Sequence, residues 1–143
     1  MTKFVYLAGP IATLTHEEVC KSRHYAAVFL HPWDTLWPDI SDNADSHVYV
    51  HMTQEGEGRL PEIFRHDMNQ VLAADAVLVG YPTGPVISAG TAFECGLAHG
   101  AGIPIVVWCP KEKEQVSGFV QQATHMVTDD LYKACYFIRE WLA

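Results

Sequence analysis

Three short apolar runs set the limits on what this chain can fold into: FVYLA at Phe4 to Ala8, AVLVG at Ala76 to Gly80, and IPIVVW at Ile103 to Trp108. Each has the length of a strand and none alternates with polar residues, the pattern of strands covered on both faces. The first stops at Gly9-Pro10, a tight loop. Helical stretches lie between the runs. Thr15 followed by His16, Glu17 and Glu18 starts a helix with acids in its first turn, which runs into the region of Tyr25 to Phe29. A further strand is expected near Val28 to His31. Pro61 suits a first helical position, and Ile63, Met68, Val71 and Leu72 line the apolar face of a helix that ends near Ala74. Gly90 to about Gly100 forms another helix, and Asp129 to Leu142 a last one with Leu131, Ala134, Cys135, Ile138 and Leu142 on one side.

Strands alternating with helices require parallel pairing and right-handed crossovers. The expected fold is therefore α/β: a single doubly wound parallel sheet of about five strands, Rossmann-like or flavodoxin-like, with helices on both faces. One domain spans residues 1–143. Ligands in such sheets sit beyond the carboxyl ends of the strands, here Gly9-Pro10, the 81–90 loop and the segment after Trp108. Residues 32–60 mix Pro, Asp, Asn, Gly and aromatics without a clean period, as functional lids often do.

Composition narrows the partners. With Lys plus Arg at 9 and a formal charge of -8, the chain lacks the basic face that a nucleic-acid polymer requires. No apolar stretch approaches the ~20 residues of a membrane span, so a soluble cytoplasmic protein is expected. Cys20, Cys95, Cys109 and Cys135 form no C-x-x-C pair and are expected to be small buried hydrophobes. The 8 histidines, among them His16, His24, His47 and His51, form no His-x-x-x-His or Cys/His cluster, so no metal is expected. Neither the Gly9-Pro10 loop nor GTAFECG has the glycine spacing of a dinucleotide or ATP loop.

In SAGTAFECGLAHG, residues 88–100, one carboxylate, Glu94, stands among small and apolar residues on the first turns of a helix after a parallel strand. It is either a solvated first-turn acid or a reactive group at the carboxyl edge of the sheet. Ser88, Gly90 and Thr91 offer hydroxyls and helix N-terminal N–H groups. Tyr6, one strand over, is core or else orients Glu94 through its phenol. Asp67 lies on the helix before AVLVG, with Arg65 and His66 nearby as partners, and is either exposed or functional. Asp75 is expected to cap the turn from that helix to the strand. His31, Trp33 and Trp37 either stack on a flat ring or supply buried surface.

YLAGP at 6–10, the Asp67…Asp75-Ala76-Val77 spacing, GTAFECGLA at 90–98 and Thr124-His125-Met126 together resemble the nucleoside 2-deoxyribosyltransferase family, which includes 2'-deoxynucleoside 5'-phosphate N-hydrolases. The resemblance runs through most of the chain but not 32–60. It implies that Glu94 attacks the anomeric carbon of 2-deoxyribose and forms a covalent glycosyl-enzyme while the base leaves. It implies that Tyr6 orients Glu94 and that Asp67 helps the leaving base by protonation or hydrogen bonding. Gly9, Ser88, Gly90, Thr124 and Met126 are the implied substrate-binding positions. No cofactor is implied, and a homo-oligomer is, because Thr124 would complete a neighbouring subunit's pocket.

Two positions depart from the transferase pattern. Transferases usually place Asp six residues before the nucleophile to hold a free 5'-hydroxyl, and here that position is Ser88. A carboxylate would repel a 5'-phosphate, whereas a hydroxyl donates to it. Thr124 likewise stands where transferases present Asn and the N-hydrolases Ser. Against a nucleotide, the Arg that those hydrolases carry after the first strand is Ala12 here, so Arg23, Arg59 or Arg65 would have to supply the charge, and GTAFE is closer to the transferases. The expected activity is cleavage of the N-glycosidic bond of a 2'-deoxynucleoside 5'-monophosphate. The alternatives are base exchange between deoxynucleosides and a non-catalytic nucleotide-binding module.

Overall fold

The computed structural model describes residues 2–8, 16–36, 54–80, 89–109 and 118–142; within these, the side chains of 16–20, 22, 54–61, 63 and 89 are not described. The elements in chain order are β1 (Phe4–Ala8), α1 (His16–Leu30), β2 (Asp34–Leu36), α2 (Gln54–Ala73), β3 (Ala76–Gly80), α3 (Ala89–Gly100), β4 (Ile105–Trp108), α4 (Gly118–Ala123), β5 (Met126–Thr128) and α5 (Leu131–Trp141). The strands form one sheet of order β2-β1-β3-β4-β5, with every pairing parallel. This is the flavodoxin-like order, and the direction of winding reverses between β1 and β3, the place where sheets of this order hold a ligand crevice.

The apolar runs of the strands split between two cores because successive side chains point to opposite faces. Val5, Leu7, Ala76, Leu78 and Val106 pack under Ala26 and Leu30 of α1 and Ala134, Cys135 and Ile138 of α5. Tyr6, Ala8, Val77, Val79 and Val107 pack under Val71, Ala74, Cys95 and Ala98 on the side of α2 and α3. Each fully buried Val, Leu or Ile contributes roughly 1.5–3 kcal/mol. The register sets Tyr6 beside Val77 and Gly80 beside Trp108. At Gly80 a Cβ would lie 3.3 Å from Trp108 Cε3, a tight approach that the indole would have to relieve by a few tenths of an ångström. At the far end of α3 the chain turns through Gly102, φ 75°, as its N–H and that of Ile103 bond back to His99 O and Ala98 O.

Several elements differ from their sequence-based expectation. The strand expected near Val28 to His31 is helix as far as Leu30, because Arg23, Ala26 and Leu30 recur at helical spacing and are all buried. Pro32 then ends the helix, and β2 follows at Asp34–Leu36. Helix α2 begins at Gln54, so Pro61 lies within it and does not open it. Its buried stripe is Asp67, Val71 and Ala74, whereas Leu72 is half-exposed. Asp75 does not cap α2: Oδ2 accepts from Phe4 N at 2.8 Å, and its own N–H donates to Phe4 O at 2.8 Å, fastening β1 to the turn before β3. Trp33 is core, with the Lys3 ammonium 5.2 Å from its ring, and does not offer a stacking face. His31 is exposed, and Trp37 lies outside the described residues. The strand expected from Ile103 starts at Ile105. Helix α5 is capped by Asp130, whose side chain accepts from Lys133 N.

Candidate active site

Three elements converge at the β1/β3 crevice. From β1, Tyr6 points to the face covered by α2 and α3 and is completely buried. From α2, Asp67 sits one helical turn before Val71 on the buried stripe and is 8% exposed, so an acid that was equally readable as a solvated side chain belongs to the interior. From α3, Glu94 flanks the buried stripe Thr91, Cys95 and Ala98, which turns its carboxylate inward although the residue is partly accessible. The sequence-derived trio Tyr6, Asp67 and Glu94 is thus brought together.

Glu94 Oε2 and Tyr6 Oη are both buried, and neither completes a well-formed hydrogen bond. The phenol still faces the carboxylate closely enough for each to perturb the other. Burial raises the Glu94 pKa from 4.5 to about 7 by penalising the charged form; the Tyr6 hydroxyl opposes this, the negative charge of Asp67 adds to it, and the guanidinium of Arg23 opposes it. The Tyr6 phenol is pushed far up, first by burial and then by the charges of Glu94 and Asp67. It therefore stays protonated and serves as a donor. Cys95, next to Glu94, is pushed up to about 12 by burial and by the Glu94 charge, which leaves it an inert thiol.

Arg23 was named from sequence only as a phosphate-binding candidate. It is buried at 6% exposure, and its charge acts on both Glu94 and Tyr6. Its spacing to Ala26 and Leu30 on the buried stripe was the signal that its guanidinium points inward. Arg65 is exposed, and the side chain of Arg59 is not described. His66 also belongs to the site: its Nδ1 lies 3.0 Å from Asp67 Oδ1.

The remaining expected positions are Gly90, Thr124, Met126, Gly9 and Ser88. Gly90 is exposed in the first turn of α3. Thr124 follows α4, donates its hydroxyl to Gln121 O at 2.9 Å, and leads into the edge strand β5 with Met126, beyond β3 and β4 from Tyr6. This chain does not bring Thr124 and Met126 to its own trio. Gly9 and Ser88 lie outside the described residues, as do Ala12 and most of the 32–60 segment. A separate cleft of 420 Å³ between α3 and α4 is lined by Ala92, Cys95, Gly96 and His99, a stripe of α3 that omits Glu94. Among the described residues no group of three His, Cys, Asp or Glu side chains is placed to hold a metal. Among them too, no helix is long and apolar enough to cross a membrane. Cys95, Cys109 and Cys135 are buried, while the side chain of Cys20 is not described.

Comparison with known proteins gives the same fold. Over 94% of this chain and 98% of the other, it superposes on a conserved protein from Enterococcus faecalis V583 at 17% identity and a TM-score of 0.65. A 2-deoxyribosyltransferase from Bacillus psychrosaccharolyticus gives a TM-score of 0.69 at 16% identity, covering 97% of this chain and 95% of the other. The CMP N-glycosidase BcmB of Clostridium botulinum gives 0.57 at 15% identity, covering 97% and 99%. No protein of curated function matches the sequence. The sequence profile described as Nucleoside 2-deoxyribosyltransferase matches residues 5–130. With that match spanning β1 through the cap of α5, the chain belongs to the nucleoside 2-deoxyribosyltransferase family of N-glycosidic bond hydrolases and deoxyribosyltransferases.

Proposed function

We propose that the enzyme hydrolyses the N-glycosidic bond of a 2'-deoxynucleoside 5'-monophosphate through a covalent intermediate on Glu94. The observation that carries this reading is the inward-facing Glu94 carboxylate, with Oε2 buried and unbonded beside the Tyr6 phenol and the second carboxylate of Asp67. A carboxylate with an uncommitted oxygen is available to an electrophile. An oxocarbenium-like sugar is such an electrophile, and its positive charge compensates the desolvation that makes the ionised Glu94 costly.

In this mechanism the Glu94 carboxylate forms a bond to C1' as the C1'–N bond breaks, and the electron pair of that bond leaves with the base. Tyr6 donates toward Glu94 and fixes its orientation. Asp67, on the neighbouring helix, delivers the proton that neutralises the departing base. Water then attacks C1', giving its proton to the Asp67 carboxylate, and Glu94 departs as a carboxylate.

The preference for a nucleotide rests on Ser88 and Thr124, hydroxyls where transferases carry groups suited to a free 5'-hydroxyl. Thr124 and Met126, which lie beyond β3 and β4 from this chain's own trio, would act in a neighbouring subunit's pocket. A second reading, base exchange between deoxynucleosides, is favoured by the transferase-like GTAFE segment and by Ala12 in place of an arginine. Incubation with a deoxynucleotide, and separately with a deoxynucleoside plus a second free base, separates them by chromatography of the products. Free base and deoxyribose 5-phosphate from the nucleotide alone are expected. Reaction of the nucleoside only, and only with an acceptor base present, would establish the transferase instead. Glu94→Ala and Glu94→Gln are expected to abolish turnover under either reading.

A further inference from the structure

His66 bridges the interior of the site to solvent by a direct contact. Its Nδ1 lies 3.0 Å from Asp67 Oδ1, and the two side chains are 42% and 11% exposed. Adjacent residues on a helix do not ordinarily face each other, so helical spacing alone does not impose this contact. Asp67 is in turn the carboxylate whose charge reaches Tyr6 of β1 and Glu94 of α3, and the Arg23 guanidinium of α1 acts on the same two groups.

A carboxylate that must protonate a leaving base faces a supply problem. Free carboxyl groups titrate well below neutrality, whereas imidazole is the side chain whose ordinary range spans it. An imidazole with one nitrogen on the carboxylate and the other edge toward water provides that supply. We propose that His66 is a positioning residue that relays protons between solvent and Asp67, so that the His66–Asp67 pair acts as the leaving-group acid. This rests on the reading of Asp67 as the group that assists the leaving base.

The step balances as follows. The C1'–N bond breaks with its electron pair on the base, and C1' bonds to a Glu94 oxygen. The base takes the proton of the Asp67 carboxyl, the resulting carboxylate takes the Nδ1 proton of the His66 imidazolium, and solvent restores the imidazolium. Before water attacks C1' the imidazolium gives a proton back to solvent, so that Asp67 passes its own proton to Nδ1 and takes that of the attacking water, and Glu94 leaves with the electron pair of its bond to C1'.

The variant His66→Gln keeps a hydrogen-bonding side chain beside Asp67 and removes the imidazole. Its kcat is compared with that of the parent enzyme on a deoxynucleotide the parent turns over and on the ring-N-methylated, cationic analogue, whose base departs without taking up a proton. General acid assistance is typically worth 10²–10⁴-fold, so loss of its supply is expected to lower kcat by about 10- to 100-fold on the ordinary substrate. On the methylated one kcat should stay within about twofold. Unchanged kcat on both substrates, or an equal fall on both, would overturn the relay; an equal fall would mean that His66 only shapes α2. Glu94→Gln assayed in parallel must be inactive on both substrates. If it is not, the nucleophile assignment fails whatever His66→Gln does.

Discussion

Glu94→Gln removes a charge from a place that disfavours it, and its effect on stability has a definite sign and pH window. Burial raises the Glu94 pKa from 4.5 to about 7, so between these values the folded protein keeps a proton that the unfolded chain has released. Stability from this group is therefore fully present below pH 4.5 and is lost as pH rises through about 7. At roughly 1.4 kcal/mol per pH unit, the ionised Glu94 costs the fold about 3 kcal/mol in alkaline solution. Glutamine has nearly the same shape and carries no charge, so the variant escapes this cost. Its Tm should match the parent's near pH 4.5 and exceed it by about 6–12 °C at pH 8.5, from the usual ratio of free energy to Tm for a chain of this size. Calorimetry of both proteins across that range measures the difference directly. A Tm difference that does not vary with pH, or a variant less stable than the parent at pH 8.5, would show that the carboxylate is not held in a desolvated site.

Tyr6→Phe removes a hydroxyl whose oxygen is buried without a completed bond, so its Tm should fall by no more than about 2 °C while kcat falls at least tenfold; a large loss of Tm with kcat retained would assign the phenol to structure. Arg23→Met removes the cation that holds the Glu94 pKa down, so the acidic limb of the kcat/KM profile, which reports the ionised nucleophile, should move to higher pH; an unmoved limb would refute the coupling. Asp130→Ala deletes the N-cap of α5 and should cost about 1 kcal/mol in chemical unfolding with kcat/KM unchanged, α5 covering the face of the sheet opposite Tyr6.

What could be read from the sequence followed the strength of each local pattern. The strands β1, β3 and β4 were legible because five or six consecutive apolar residues admit few other structures. The strands β2 and β5 are three residues each and sit at the sheet edges, where DTL and MVT carry too little apolar signal to stand out. Glu94 was legible because a carboxylate between Phe93 and Cys95 conflicts with its surroundings. The burial of Asp67 was not, since an acid in a helix reads as solvated until Val71 and Ala74 are seen to share its stripe. Arg23 was visible as a charge but not as a buried one, because a long cationic side chain is compatible with either position. The contact between His66 and Asp67 depends on side-chain torsions, which sequence spacing does not fix.

The two hydrogen bonds between Asp75 and Phe4 have a consequence for tuning the enzyme. Asp67 is carried by the helix that leads into Asp75, and Tyr6 lies two residues after Phe4. The clasp therefore ties the helix that carries Asp67 to the strand that carries Tyr6, two residues from the phenol and eight from the carboxylate. A substitution at Asp75 would thus loosen the phenol and the Asp67 carboxylate relative to one another while leaving both side chains in place.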